Sequence, residues 1–134
     1  VNKEVKNTFD KYPENARAKF FEIRELVFQI ASELGLGEVD ETLKWGEPSY
    51  SVKTGSPFRI DWKSKSPNNY YLFFNCQIKL VDTFRELYGE KLHFQGNRAI
   101  VLCLSTSLPK VMIKSCLMLA LTYKQRKRLP LLGM

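Results

Sequence analysis

Thr42-Leu43-Lys44-Trp45-Gly46-Glu47-Pro48-Ser49-Tyr50 brings a strand end, a sharp turn and two large aromatics into nine residues. Trp45 and Tyr50 each join a broad apolar face to one polar handle, which suits the wall of a concave site, and Gly46 with Pro48 is expected to fix the turn between them. Working outward, Val39, Glu41, Leu43 and Trp45 alternate as one strand face, and Tyr50 and Val52 follow the turn. Phe58, Ile60 and Trp62 then alternate with Arg59, Asp61 and Lys63. A period of two over this stretch predicts sheet. Thr54-Gly55-Ser56-Pro57 and Ser64-Lys65-Ser66-Pro67-Asn68-Asn69 read as the intervening turns.

Farther along, Tyr70 to Cys76 and Ala99 to Leu104 are apolar on both alternating faces, which predicts central strands covered above and below. On the N-terminal side, a short amphipathic opening carries Val5 and Phe9, and Tyr12-Pro13-Glu14 reads as a helix start with Pro13 in the first turn. Ala16, Phe20, Ile23, Val27, Ile30 and Leu34 then recur at helical spacing, giving one apolar stripe that ends near Gly35 or Gly37. Val81, Phe84, Leu87 and Tyr88 outline a short middle helix ending at Gly89, and Lys91 to Gln95 a brief strand before a Gly96-Asn97 turn. Ser107 is expected to cap a last helix that is apolar around most of its circumference. Such a helix wants cover on more than one side, and a second copy of the chain is the candidate cover, which makes a homodimer an expectation.

The 134 residues suit a single domain, 1–134, with no repeat, linker or low-complexity tract dividing them. An apolar fraction of 44% and a charged fraction of 26% are ordinary for a globular chain. No segment approaches the roughly 20 apolar residues that span a bilayer, so no membrane role is expected. The charged start Val1-Asn2-Lys3-Glu4-Val5-Lys6 lacks the apolar core of a secretory signal, and a cytoplasmic location is expected. Cys76, Cys103 and Cys116, odd in number and without close pairing, read as buried free thiols. The net charge of +7 is lopsided: residues 1–47 carry seven Lys/Arg against ten Asp/Glu, and residues 48–134 fourteen against four. A solvated basic face is the commoner reading of such asymmetry, an anion-binding surface or a self-complementary contact the sharper one.

The order helix, Trp-Gly-x-Pro-x-Tyr turn, hairpins, aromatic strand, short helix, strand and terminal helix resembles the YdhG-like family, a domain of unknown function, over almost the whole chain. The pieces that carry the resemblance are Trp45-Gly46-Glu47-Pro48-Ser49-Tyr50, Arg98-Ala99-Ile100-Val101 leading to Leu108-Pro109, and the ending Ala120-Leu121-Thr122-Tyr123 through Leu129-Pro130-Leu131-Leu132-Gly133. The resemblance implies an α+β fold with a mainly antiparallel curved sheet, here of about five or six strands, a long N-terminal helix, a short middle helix and a C-terminal helix. It implies little chemistry. One branch of the family is described as frataxin-like and as delivering iron, which would require oxygen ligands near the first helix and first strand. Glu38, Asp40 and Glu41 are the metal candidates there, with Glu22, Glu25 and Glu33 on the preceding helix. Acidic residues interleaved with Lys19 and Arg24 are equally read as local pairing.

A catalytic set is not found. The single histidine, His93, is flanked by Leu92 and Phe94 on an expected strand, and HExxH, GxxxxGK[ST] and GxGxxG are missing. Glu47 and Asp61 are a conceivable carboxylate pair, with cross-strand pairing of Asp61 to its basic neighbours as the plainer account. A small-molecule cleft is better founded: Trp45, Tyr50, Trp62, Tyr71, Phe73 and Asn75 are expected to converge under the first helix, beside Glu47, with Arg59 or Arg98 holding an anionic group. The plainer account is that aromatics at strand period fill a core. Lys124-Gln125-Arg126-Lys127-Arg128 reads as a helix end with a basic tail, so nucleic acid is not the favoured partner. The leading reading is a non-catalytic domain that binds a small molecule in an aromatic-lined cleft, needing no cofactor. The alternatives are an iron chaperone using the acidic patch and a structural or protein-interaction module.

Overall fold

The computed structural model describes all of Val1–Met134. Asn2 caps the first helix, α1 (Lys3–Asp10), by accepting from the Val5 N–H at 2.9 Å, and Val5 and Phe9 are the two buried residues of this short element. Pro13 precedes α2 (Glu14–Glu33), whose buried stripe of Ala16, Phe20, Ile23, Leu26, Val27, Ile30 and Ala31 follows the expected helical spacing. The helix stops where expected: Gly35 takes φ +61°, and the Leu36 N–H reaches back to the Ala31 carbonyl at 2.9 Å, a Schellman closure.

Six strands follow, β1 (Asp40–Lys44), β2 (Glu47–Ser51), β3 (Phe58–Trp62), β4 (Asn69–Phe73), β5 (His93–Gln95) and β6 (Ala99–Cys103), with α3 (Leu80–Tyr88) between β4 and β5. They form one open, curved sheet in the order β1-β2-β3-β4-β6-β5, and every neighbouring pair is antiparallel. The chain then runs through α4 (Lys110–Leu121), α5 (Tyr123–Arg126) and a 3-10 turn at Pro130–Gly133. The α+β class with a mainly antiparallel curved sheet is thus the observed one.

The turn that opens the sheet differs from expectation. Lys44 pairs with Glu47, so the hairpin closes on two residues, Trp45 at φ +55° and Gly46 at φ +75°. Positive φ at both positions is the pattern that lets a two-residue turn follow the right-handed twist of its strands. Trp45 is therefore a turn residue and not part of the β1 face. Pro48 lies inside β2, and it is tolerated because the β2–β3 ladder starts one residue later, at Ser49 opposite Arg59.

Tyr50, Phe58, Ile60, Tyr70, Leu72, Phe74, Ile100 and Leu102 join the helices in one buried cluster. Its rings step across the interior: Tyr50 to Phe58 at 5.7 Å, Phe58 to Phe74 at 5.8 Å and Phe74 to Phe84 of α3 at 5.1 Å. The alternate residues Tyr71, Phe73 and Ala99 form a separate small cluster, with Val101 packed on it. Strands β4 and β6 are interior as expected, yet helices cover one face only, and the other is roofed by the long side chains of Arg59, Lys63 and Arg98. Aliphatic stems of cationic side chains can shield apolar surface while their heads stay in water.

Helix α4 begins at Pro109 without a side-chain cap, so Ser107 does not play the expected part. Its cover comes from the chain itself. It packs against α2 and α3, and the loop between β2 and β3 closes its C-terminal end: the Ser56 N–H donates to the Ala120 carbonyl at 2.9 Å and the Thr54 hydroxyl to the Leu121 carbonyl at 2.7 Å. Leu132, at φ +54° in the terminal 3-10 turn, is fully buried in the same cluster. The thiols divide differently from expectation: Cys116 is buried, Cys103 half-buried and Cys76 exposed. Burial pushes the Cys116 thiol up to about 12.

Candidate functional site

Because the helices sit on one side, the other side of the sheet is bare, and a cleft lies on it. Opposed residues of antiparallel strands share a face, so Ser49, Arg59, Phe73 and Ala99 form one row across β2, β3, β4 and β6, and Asp61, Tyr71 and Val101 the next. A cleft of about 480 Å³ opens over the first row. Its walls include Lys44, Trp45, Arg59, Phe73, Asn75 and Arg98, and no carboxylate is among its lining residues.

The Phe73 ring is its floor. The guanidinium carbons of Arg59 and Arg98 stand 5.7 and 5.6 Å from its centroid, and the Lys63 ammonium 5.2 Å. Tyr71 continues the floor, its ring stacked on Phe73 at 5.6 Å and 13°. The ring quadrupole attracts all three cations; Arg59 is compensated by Glu47, and Lys63 and Arg98, which have no carboxylate partner, are the charges an incoming anion would relieve. Trp45 stands on the rim with 88% of its surface exposed.

Glu47 sets the position of Arg59, accepting its Nε–H at 2.9 Å. Asp61 lies beside this pair and accepts the Tyr12 hydroxyl at 3.1 Å. Burial raises the Glu47 carboxyl above its ordinary range, and the Asp61 charge adds to this against the pull of Arg59. The Tyr12 hydroxyl is raised by burial and by the Asp61 charge. The conceivable Glu47–Asp61 pair is therefore a real neighbourhood, organised by Arg59 and Tyr12.

Of the sequence candidates, Trp45, Arg59, Phe73, Asn75 and Arg98 meet at the cleft, with Glu47 and Tyr71 adjoining it. Tyr50 and Trp62 do not join them. Tyr50 is fully buried on the helix side, where its hydroxyl donates to Glu41 at 2.8 Å. Trp62 packs against the main core and donates its indole N–H to the Pro67 carbonyl at 3.0 Å. Convergence under the first helix is thus replaced by convergence on the opposite face. The sequence reading of the cleft missed Lys44 and Lys63. Lys63 shared its period of two with Arg59 and Asp61, a signal that places all three on one face.

The acidic candidates are differently disposed. Glu38 and Asp40 are exposed, whereas both Glu41 oxygens are occupied by Arg24, from Nε at 2.6 Å and from the neighbouring nitrogen at 3.2 Å. Burial acts to raise the Glu41 carboxyl, but its hydrogen bonds from Arg24 and Tyr50 prevail and hold it below the ordinary range. No group of three or more His, Cys, Asp or Glu side chains is gathered so as to hold a metal ion. No helix is long and apolar enough to cross a membrane. Comparison with family models, curated proteins and solved structures found no match.

Proposed function

We propose that this chain is a small, non-catalytic binding domain whose open sheet face holds an anionic molecule bearing an aromatic ring. One observation carries the reading: Trp45 is 88% exposed and occupies a positive-φ turn position that Asn or Gly would fill with less strain. An indole held there adds little to packing, and it stands at the lip of a cleft whose charged walls are all cationic. The ring would stack on the indole, and Arg98 and Arg59 would take the anionic group, Arg59 trading part of its bond to Glu47 for it. Membership of the YdhG-like family belongs to this proposal, on the resemblance of the Trp45 to Tyr50 turn and the terminal segments. A cytosolic site of action belongs to it as well, supported by three cysteines that form no disulfide.

Calorimetry with nucleoside monophosphates, aromatic carboxylates and inorganic phosphate tests it. Ring-bearing anions should bind, phosphate alone should bind more weakly, and Arg98→Ala should loosen the best binder about tenfold, the worth of one charge-assisted contact. Absence of heat for every compound at millimolar concentration would remove the reading.

A second reading has its own observation. Ile30, Leu34, Val111 and Met118 line an apolar depression between α2 and α4, crossed by the Lys114–Glu33 ion pair at 3.1 Å, and Val111 is 84% exposed. We propose this depression as the seat of a homodimer contact. Light scattering should then give twice the chain mass for the wild type and the single mass for Met118→Asp; a wild-type monomer at high micromolar concentration would end it.

A further inference from the structure

We propose that the open-face cleft is one end of a longer track for single-stranded nucleic acid, an inference that rests on the anion-binding reading above and extends it. A second depression, of about 390 Å³, adjoins the first, and Pro57 and Asn75 line both. Lys124 and Lys127 stand on its walls, beside the half-exposed ring of Tyr123. Again no carboxylate lines it. The two depressions together present Lys44, Arg59, Arg98, Lys124 and Lys127.

This distribution points to a repeating anion. A compact phosphate or carboxylate would be satisfied by Arg59 and Arg98 alone, leaving the lysines at the far end without a role. A phosphodiester chain presents charge at regular intervals and an aromatic base at each, and the track offers cations along its length with Trp45 at one end and Tyr123 at the other. Cationic grooves bearing aromatic rings hold single strands in this way, because any base has a face to stack. A duplex keeps its bases stacked on one another, so the rings of this track have nothing to receive from it. The basic run at 124–128 is therefore divided in its work. Arg126 is spent inside the fold, donating to the Thr122 hydroxyl at 2.9 Å and to the Leu132 carbonyl at 3.1 Å, whereas Lys124 and Lys127 face the track, Lys124 giving one of its hydrogens to the Lys53 carbonyl at 3.1 Å while its charge stays unpaired.

Fluorescence anisotropy with labelled oligothymidylates of two to ten nucleotides, alongside calorimetry with thymidine monophosphate, tests the inference. Arg59 exchanges its bond to Glu47 for a phosphate and so releases no counterion of its own; the other four cations set the salt slope for the longest strand at about −2.8, at about 0.7 per neutralised phosphate. Affinity should rise about tenfold or more between the dimer and the octamer. Lys124→Gln with Lys127→Gln should remove most of that gain and about halve the slope, with monophosphate binding and thermal midpoint unchanged. Trp45→Asn, which eases the turn instead of burdening the fold, should weaken strands of every length. If the monophosphate binds and longer strands bind no tighter, the track is refuted and the small-anion site stands. If neither binds, both fall. Equal affinity for duplex, or strand binding indifferent to Trp45→Asn and Arg98→Ala, would assign the binding to diffuse surface charge and overturn the inference.

Discussion

Trp45 is where local preference and presence part company. A side chain at φ +55° crowds its own backbone, and the indole recovers little by burial because it is almost wholly exposed. Trp45→Asn should therefore raise stability by about 1 kcal/mol, seen as a higher thermal midpoint, while abolishing the response to ring-bearing anions. A fall in stability would mean that the indole packs for the fold, and the binding reading would lose its support. Tyr70 poses the opposite case. Its hydroxyl is buried without a partner, and burial raises it. Tyr70→Phe keeps the shape and removes the unmet group, so the urea midpoint should rise by the equivalent of about 1 kcal/mol. The position of Trp45 beside a concavity was legible, because an aromatic beside Gly at a turn has few structural uses. Its place on the strand was misread, because the alternation of Val39, Glu41 and Leu43 runs without a break into the turn, and Pro48 drew the bend two residues too far along.

At the scale of elements, the loop carrying Gly55 acts as the stopper of α4. A Cβ added at Gly55 would lie 2.7 Å from both the Ala120 oxygen and the Leu121 Cα, backbone atoms with no freedom to yield. Gly55→Ala should cost about 2 to 3 kcal/mol, and amide exchange should speed up first in the last turn of α4, where the Ser56 and Thr54 bonds are lost. Unchanged protection there would separate the loop from the helix end. The three main helices were readable from spacing, down to a stop near Gly35 or Gly37 that the structure places at Gly35, since that signal is local. What covers α4 was not: Leu132 and the loop from Val52 to Pro57 are distant in sequence, and an apolar circumference says that cover is needed without saying whose. The same limit applied to β4 and β6, whose apolar residues on both faces promised cover above and below and received on the outer side the stems of Arg59, Lys63 and Arg98.

Across the whole molecule, the two halves of the charge distribution have different employment. The acidic first third ties α2 to the sheet through Glu41, Arg24 and Tyr50, and the basic remainder lines the open face. Glu41 titrates below its ordinary value when folded, so its contribution is present above that ordinary value and is lost as pH falls through the depressed one. Glu41→Gln should thus destabilise by about 2 kcal/mol at neutral pH, a gap that closes on acidification below the usual glutamate range, as denaturant titrations at several pH values would record. A gap that stays constant with pH would mean that shape, and not charge, matters at this position. The α+β class, the antiparallel sheet and the three main helices were legible because they follow from periodicity, whereas α5 was read as a basic tail; which side of the sheet stayed bare was not legible, since that depends on every helix packing the same way. That one-sided arrangement has a consequence for inheritance. A guest settling on this exterior would part no interior layers, so the lining could be exchanged residue by residue while the scaffold behind it keeps its shape, and one architecture could serve different guests.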